Sequence, residues 1–295
     1  MRCCFITLGC RVNQYESDAM AELLTQAGFE ITENPSEADV CIVNTCTVTN
    51  IADRKSRQML SKAHKLNPNA KLIAAGCFAQ RSPEAAAKLE GVYAVLGSAD
   101  KNRVVELVKS IAEGRENESK SEKCNCGKKE LCDCCGGMKK FEQPENSECS
   151  GNAAGGTKIL VRDVMHEHEF EEMSAVHEGR TRAYLKIQDG CNMFCTYCAI
   201  PYARGGLRSR SIESVRAEAE KLNNEGFSEV VLTGIHLMSY GRDLRSGTDI
   251  RDAVRCFDGL NNIKRIRFGS LEPHMMTDEI CLLYTSPSPR DRSVS

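Results

Sequence analysis

Short apolar runs alternate with segments of helical periodicity over the first 112 residues of this 295-residue chain. Four apolar runs predict strands, at residues 3–8, 40–43, 71–75 and 94–96. Four segments predict helices, at residues 17–26, 54–65, 102–111 and from the cap Ser82 with Pro83 behind it. Strands that alternate with helices pair in parallel, so residues 1–112 predict a doubly wound α/β domain with a parallel sheet.

Three cysteines of this block directly follow predicted strands: Cys10, Cys46 and Cys77. Ligands of an open α/β sheet bind outside the carboxyl ends of its strands, so these thiols are expected at one edge. A buried apolar role would explain any one of them alone, because free cysteine is a common core residue. Three together favour a shared site, and the apolar role is kept for the cysteines within strands, Cys3, Cys4 and Cys41.

Residues 113–178 interrupt the alternation. They are polar and poor in large aliphatic side chains, and they hold nine basic and fifteen acidic residues, although the whole chain has a net charge of only -2. This composition predicts a flexible linker or insertion. Its six cysteines either chelate a soft metal such as zinc or do nothing defined, since their spacing matches no common finger: Cys124, Cys126, Cys132, Cys134, Cys135 and Cys149.

The α/β alternation resumes over residues 179–283. Strands are predicted at 183–187, 229–232 and 263–268, and helices at 211–223, 248–257 and after Thr277. These are about three βα units, which predicts an incomplete (βα) barrel. The Ser, Pro and Arg-rich segment 284–295 has no core-forming pattern, so we expect a non-native or disordered tail on a C-terminally truncated chain.

Cys191, Cys195 and Cys198 form a C-x3-C-x2-C motif, and no further cysteine follows until Cys256. Three thiolates can hold three irons of a 4Fe–4S cluster, which usually takes four cysteines, so one iron would stay open for another ligand. A zinc knuckle would need a fourth Cys or His nearby, such as His236 through folding. The motif therefore favours the cluster over zinc.

The stretch CNMFCTYCAIPYARG, with Tyr197 before its last cysteine, resembles the radical SAM enzymes. The resemblance implies that the open iron binds the amino and carboxyl groups of S-adenosylmethionine, whose reductive cleavage yields a 5′-deoxyadenosyl radical. It also implies cofactor contacts by Tyr197, Thr233, Gly234 and Glu272. For the last three, an ordinary turn or loop cap explains the sequence equally well.

The stretches TLGCRVNQYESD, NTCTVTNIADRKSRQ and GCFAQ resemble the methylthiotransferase branch of that family. The resemblance implies a second, auxiliary 4Fe–4S cluster on Cys10, Cys46 and Cys77, and a methylthio group added at C2 of N6-threonylcarbamoyladenosine 37 in tRNA. Two S-adenosylmethionine molecules would be consumed, one for the methyl group and one for the radical. Alternative substrates are isopentenyladenosine in tRNA and a ribosomal-protein Asp, and a zinc-binding nucleic-acid module is the alternative from another class.

Two groups of cationic residues accompany the cysteine motifs. Arg204, Arg208 and Arg210 follow the second motif and predict contact with an anionic substrate or a cofactor carboxylate. A helix carrying Arg54, Lys55 and Arg57 follows Cys46, and it either faces substrate phosphates or is a solvated surface.

The N-terminus has no secretory cleavage pattern, and no apolar stretch reaches the ~18 residues of a membrane span. We therefore expect a cytoplasmic protein without membrane contact. By resemblance we also expect a monomer that receives electrons from a flavodoxin or ferredoxin type donor.

Overall fold

A computed structural model describes residues 1–114, 150–152, 157–175, 181–272 and 275–283. Five parallel strands form the centre of the N-terminal domain: β1 (Arg2–Thr7), β2 (Glu30–Thr32), β3 (Val40–Thr45), β4 (Lys71–Gly76) and β5 (Val92–Leu96). They lie in the order β2-β1-β3-β4-β5. The central strands read as continuous apolar runs because both of their faces are covered.

Helices cover both faces of this sheet: α1 (Arg11–Gln26), α2 (Asn50–Leu66), α3 (Cys77–Arg81), α4 (Pro83–Ala87) and α5 (Val104–Ala112). One core joins α1 and α5 to the face that carries Cys3 and Ile42. The other core joins α2, α3 and α4 to the face that carries Cys4 and Val43. The doubly wound parallel sheet predicted from the sequence is confirmed.

The sheet extends beyond the predicted boundary at residue 112. Two short strands, β6 (Ser150–Asn152) and β7 (Lys158–Leu160), join its edge. β7 runs parallel to β5, with Val95 opposite Ile159, and β6 runs antiparallel to β7. Residues 158–160 therefore belong to the N-terminal sheet, which corrects the prediction of an unstructured linker there. The six cysteines of the predicted insertion lie outside the described residues.

A second, three-stranded parallel sheet follows in the order β12-β11-β8, formed by β8 (Ala183–Lys186), β11 (Glu229–Thr233) and β12 (Arg265–Phe268). Two helices connect these strands in turn, α7 (Ile212–Asn224) and α8 (Ile250–Arg255), and α9 (Asp278–Leu283) follows. Between β8 and α7 lie β9 (Gln188–Asp189), α6 (Ile200–Arg204) and β10 (Arg208–Ser209). Three βα units of a partial barrel are thus present, as predicted.

The two domains pack through α1 and α6. Nη1 of Arg210 donates to the hydroxyl of Tyr15 on α1 at 3.3 Å, and the hydroxyl of Ser98 donates to the carbonyl of Ala203 at 2.6 Å. Tyr15 and Ala203 are both buried. The contacts place the first helix of the N-terminal domain beside the segment that follows the C-x3-C-x2-C motif. Among the described helices, none is long and apolar enough to cross a membrane.

Candidate functional site

The three N-terminal cysteines lie at the carboxyl ends of adjacent strands. Cys10 caps α1 three residues after β1, Cys46 directly follows β3, and Cys77 directly follows β4. β3 pairs with both β1 and β4, so the three strand ends share one edge of the sheet. The predicted convergence on this edge is therefore seen, and the role of these thiols as cluster ligands stays a prediction.

Close backbone packing brings Cys10 and Cys46 together. Gly9 has a φ of +100°, and a Cβ at this position would lie 2.9 Å from Cβ and 3.0 Å from Sγ of Cys46. The backbone of Cys46 is fixed by Ser56, whose hydroxyl accepts from the Cys46 N–H at 3.0 Å and donates to its carbonyl at 2.7 Å. Cys10 is exposed, whereas Cys46 and Cys77 are buried.

The environment of Cys77 combines burial with nearby charge. Burial raises the pKa of the Cys77 thiol, Arg204 lowers it, and Cys10 raises it. Arg204 and Cys10 are therefore both within electrostatic range of this thiol. The described side chains do not form a ready-made metal centre of three ligands. The donor set fits a cluster by its chemistry, because thiolates are soft ligands that hold iron–sulfur centres.

The C-x3-C-x2-C loop lies between β9 and α6, and most of it is exposed. It begins at a close approach of two backbones: Gly190 has a φ of +67°, and a Cβ there would meet the Gly206 carbonyl oxygen at 1.8 Å. Phe194 is the only non-glycine residue with positive φ in the described parts of the chain. Such a conformation is uncommon for a bulky side chain and often marks a functional loop.

Hydrogen bonds shape the loop around its sulfur atoms. The Met193 N–H donates to Sγ of Cys191 at 3.5 Å, and the Cys198 N–H donates to the Cys195 carbonyl at 2.9 Å. Burial raises the pKa of the Cys191 thiol, and Cys198, Cys195 and Glu272 raise it further. The three thiols therefore interact electrostatically with one another, and the Glu272 carboxylate lies near them.

The residues predicted to contact the cofactor differ in how deeply they are buried. Thr233 is buried at the end of β11, and Gly234 follows it directly. One Glu272 oxygen lies 3.9 Å from Nε2 of His236, and the other, Oε2, is buried without a hydrogen-bond partner among the described residues. An unpartnered carboxylate oxygen near Cys191 fits a cationic group such as the ammonium of S-adenosylmethionine. Tyr197 is 89% exposed, and its contact with the cofactor stays a prediction.

Gln188 is a site residue that sequence reasoning missed. Its side-chain N–H group donates to the carbonyls of Asp189 and Gly190 at 2.6 Å. Its oxygen accepts from the N–H groups of Ile235 and His236, at 2.8 and 2.7 Å. The amide thus joins the start of the cysteine loop to the loop after β11. The available signal was a polar QDG run at the end of an apolar strand.

Arg204, Arg208 and Arg210 are buried, with exposures of 0%, 3% and 4%. Arg204 is paired with Glu16 and Asp189, and Arg208 donates to the Arg204 carbonyl. Arg210 is paired at 3.3 Å with Glu218 and at 3.1 Å with Glu172. Carboxylates of the protein thus pair with Arg204 and Arg210, and the contact of the three arginines with an anionic substrate or a cofactor carboxylate stays a prediction.

Helix α2 presents a basic surface. Arg54, Lys55 and Arg57 are exposed, and Arg57 pairs with Asp53 at 3.1 Å. Lys62 and Lys65 continue the same surface toward the end of the helix, where Arg57, Lys62 and Lys65 line one shallow groove. The helix begins four residues after Cys46. The basic face of α2 therefore starts near the sheet edge that carries Cys10, Cys46 and Cys77.

Family models match both domains. Residues 2–97 match the uncharacterized protein family UPF0004, and residues 185–244 match the radical SAM superfamily. The chain joins a UPF0004 domain to a radical SAM domain. This confirms the family resemblance drawn from the two cysteine sets.

Curated relatives that match most of this chain carry methylthiotransferase names. Threonylcarbamoyladenosine tRNA methylthiotransferase MtaB of Bacillus subtilis (strain 168) is 36% identical over 94% of the chain and 52% of its own length. The MtaB protein of Aquifex aeolicus (strain VF5) is 33% identical over 97% of the chain and 60% of its length. A tRNA-2-methylthio-N(6)-dimethylallyladenosine synthase of Moorella thermoacetica is 31% identical over 93% and 54%. The chain thus spans a little over half the length of these relatives.

Among solved structures, the radical S-adenosylmethionine methyltransferase TsrM from Kitasatospora setae, with cobalamin and a [4Fe-4S] cluster bound, matches with a TM-score of 0.55. The match covers 96% of this chain and 58% of that one at 16% sequence identity, so it shows the fold alone. The predicted resemblance to radical SAM enzymes and to methylthiotransferases is confirmed by the family models and by these relatives.

Proposed function

We propose that this chain belongs to a tRNA methylthiotransferase that adds a methylthio group at C2 of N6-threonylcarbamoyladenosine 37. One observation carries the proposal: two sets of three cysteines lie on two domains that pack directly against each other. A radical site alone explains how a C–H bond breaks. A second cysteine site beside it supplies a place for the incoming sulfur.

Two 4Fe–4S clusters and S-adenosylmethionine are the proposed cofactors. Cys191, Cys195 and Cys198 would hold the first cluster, and Cys10, Cys46 and Cys77 the second. When bound, these groups supply the radical and sulfur chemistry that amino-acid side chains lack. The chain's own contribution is to orient them, through the Ser56 contacts of Cys46 and the Met193 contact of Cys191. The unpartnered oxygen of Glu272 would bind the amino group of S-adenosylmethionine.

The tRNA substrate is supported by the relatives' names and by surface charge. Both MtaB relatives are named for threonylcarbamoyladenosine, and they are slightly more identical to this chain than the dimethylallyladenosine relative. The basic face of α2 offers cations to a phosphate backbone. We also propose that the protein acts in the cytoplasm as a monomer, with a flavodoxin or ferredoxin type electron donor.

Iron counting after anaerobic reconstitution with iron and sulfide tests the two-cluster proposal. The intact protein should hold about eight irons, two 4Fe–4S clusters, and substitution of Cys10, Cys46 or Cys77 by Ala should halve that number. The control is Cys256→Ala, which removes a buried cysteine of the second domain's core. Iron for one cluster only, unchanged by the three N-terminal substitutions, contradicts the proposal, as does a colourless, zinc-loaded protein.

Mass spectrometry of nucleosides tests the substrate. Total tRNA from a host lacking the gene should lose 2-methylthio-N6-threonylcarbamoyladenosine and regain it when the complete gene is supplied. Loss of the methylthiolated isopentenyladenosine in its place would favour the other tRNA substrate. An unchanged tRNA pool with an unmodified ribosomal-protein Asp would overturn the tRNA assignment.

A further inference from the structure

Arg204, the last residue of α6, contacts both domains although none of its side chain is exposed. Its Nη2 group donates to Oδ1 of Asn13 at 2.6 Å and to Oε2 of Glu16 at 3.0 Å. Its Nη1 group donates to Oε1 of Glu16 at 2.8 Å and to Oδ1 of Asp189 at 3.0 Å. The planar guanidinium therefore joins α1 of the first domain to β9 of the second.

Asn13 links Arg204 to the strand ends beside Cys10 and Cys46. Its Nδ2 group donates to the carbonyl of Leu8 at 2.8 Å and to the carbonyl of Thr45 at 3.0 Å. Thr45 directly precedes Cys46, and Leu8 lies two residues before Cys10. A single amide thus fixes the ends of two cysteine-bearing strands, and its oxygen is held by Arg204.

Asp189 links Arg204 to the start of the loop that holds Cys191, Cys195 and Cys198. Its Oδ1 atom accepts from the Gly190 N–H at 2.8 Å. The next residue, Cys191, donates its N–H to the carbonyl of Gly205 at 3.1 Å, and Gly205 follows Arg204 in the chain. The start of the cysteine loop is therefore tied to Arg204 through a side chain and through the backbone.

Two lysines complete the charge balance around the guanidinium. Lys186 donates to Oε1 of Glu16 at 2.7 Å and pairs with Oδ2 of Asp189 at 2.6 Å. Lys101 pairs with Oε2 of Glu16 at 3.2 Å. All of these groups are buried, and buried charges are tolerated only when paired with good geometry. The positions of Glu16 and Asp189 are thus fixed by more than one cation.

We propose that Arg204 is a positioning residue that sets the separation between the auxiliary cysteine site and the radical SAM loop. The inference rests on the proposed function, in which sulfur held by one site must reach a carbon activated at the other. Fixed geometry between reacting groups accounts for a large share of catalysis, and a misplacement of about 1 Å can cost on the order of 100-fold in rate.

Arg204→Lys is the test variant because it keeps the charge and removes the fork. A lysine ammonium is a single point that cannot bridge Asn13, Glu16 and Asp189 together. In the cluster-free chain, hydrogen exchange should accelerate about tenfold at backbone amides in both segments, residues 9–14 and 190–195. The control, Arg216→Lys, makes the same chemical change at an exposed pair with Glu220 and should leave both segments unchanged.

The second readout is the coupling of radical formation to product in the reconstituted protein. Arg204→Lys should retain its iron and the formation of 5′-deoxyadenosine, while methylthiolated nucleoside per 5′-deoxyadenosine falls on the order of 100-fold. A merely structural role would lower both products in parallel. Parallel losses, loss of either cluster, or faster exchange in residues 190–195 alone would overturn the proposal.

A second variant is available if Arg204→Lys does not fold. If Arg204→Lys is insoluble, Glu16→Gln replaces it, because this variant removes the bidentate acceptor and leaves Arg204 with Asn13 and Asp189. Faster exchange in both segments is again the expected result, and unchanged exchange overturns the proposal. If the wild-type protein makes no methylthiolated nucleoside but Arg204→Lys still loosens both segments, the proposed function fails and the coupling of the two sites stands.

Discussion

At Gly9, conformation and space both require the absence of a side chain. Its φ of +100° is unfavourable for other residues, and a Cβ would approach Cys46 to 2.9 Å. Gly28 has a similar φ of +88° but nothing within 4 Å of a Cβ. The pair therefore separates the cost of the backbone conformation from the cost of the contact with Cys46.

Gly9→Ala is expected to destabilise the fold more than Gly28→Ala. Both variants should lose about 1 kcal/mol from the left-handed conformation, and Gly9→Ala a further ~1–3 kcal/mol from overpacking against Cys46. Gly9→Ala should also reduce reconstituted iron by displacing Cys46. Urea unfolding and iron content measure these effects, and equal losses in the two variants would show that the contact is unimportant.

Glu272 combines a position near Cys191 with a buried oxygen that has no hydrogen-bond partner within the described part of the chain. Glu272→Gln keeps the shape and removes the charge, so S-adenosylmethionine should bind about 10- to 100-fold more weakly, the range for a hydrogen bond to a charged group. Equilibrium binding to the reconstituted protein measures this. Glu220→Gln, at an exposed pair with Arg216, is the control. Equal affinity in all three proteins would assign Glu272 to a loop cap.

At the scale of elements, substitutions in α2 test whether its basic face binds tRNA. The triple variant Arg54→Ala, Lys62→Ala, Lys65→Ala should weaken tRNA binding and reduce the slope of log affinity against log salt by about 2–3, near one per lost phosphate contact. Fluorescence anisotropy at several salt concentrations measures both. Three exposed lysines on other elements, Lys88, Lys109 and Lys264, provide the matched triple-Ala control. Equal slopes in the two triple variants would make α2 an ordinary solvated helix.

The strands were predictable because β3 and β4 are buried apolar runs and β1 is a partly buried one, and the cysteine edge followed from their parallel order. The start of α1 was not, since the helix was predicted from residue 17 and begins at Arg11. Its first turns bury Asn13 and Glu16, polar residues whose cationic partners, Arg204 and Lys101, lie more than 80 residues away in the chain. Local periodicity cannot report such partners. It also missed β7, because this strand has only three residues and its parallel partner β5 lies more than 60 residues earlier in the chain.

For the whole molecule, the buried charges predict a pH dependence of stability. Burial raises the pKa of Glu16, but Arg204, Lys101 and Lys186 lower it to a net value below the ordinary range. A carboxylate with a depressed pKa in the folded state stabilises above its unfolded pKa of about 4.3, and this contribution declines as the pH falls below that value.

Glu16→Gln should therefore be less stable than the wild type by about 3–5 kcal/mol at pH 7, because the buried cations Arg204, Lys186 and Lys101 all lose a carboxylate partner. This difference should narrow by about 1.4 kcal/mol for each pH unit below about 4.3. Urea unfolding of the cluster-free chain between pH 7 and 3 measures the trend. Glu220→Gln should show no such narrowing, and a pH-independent difference for Glu16→Gln would contradict the assigned pairing.

The Arg204 contacts also bear on how an RNA would reach the two sites. A small opening between α1 and α6 would separate Arg204 from Glu16 before water could solvate either charge, so a gate at this seam is unfavourable. Under the proposed function, the exposed cysteine loop would then be the side from which the RNA approaches. Under the proposed function, it is the RNA that changes conformation, because the target adenosine has to leave its stack and turn outward. Anticodon loops that unstack readily would therefore be the better substrates.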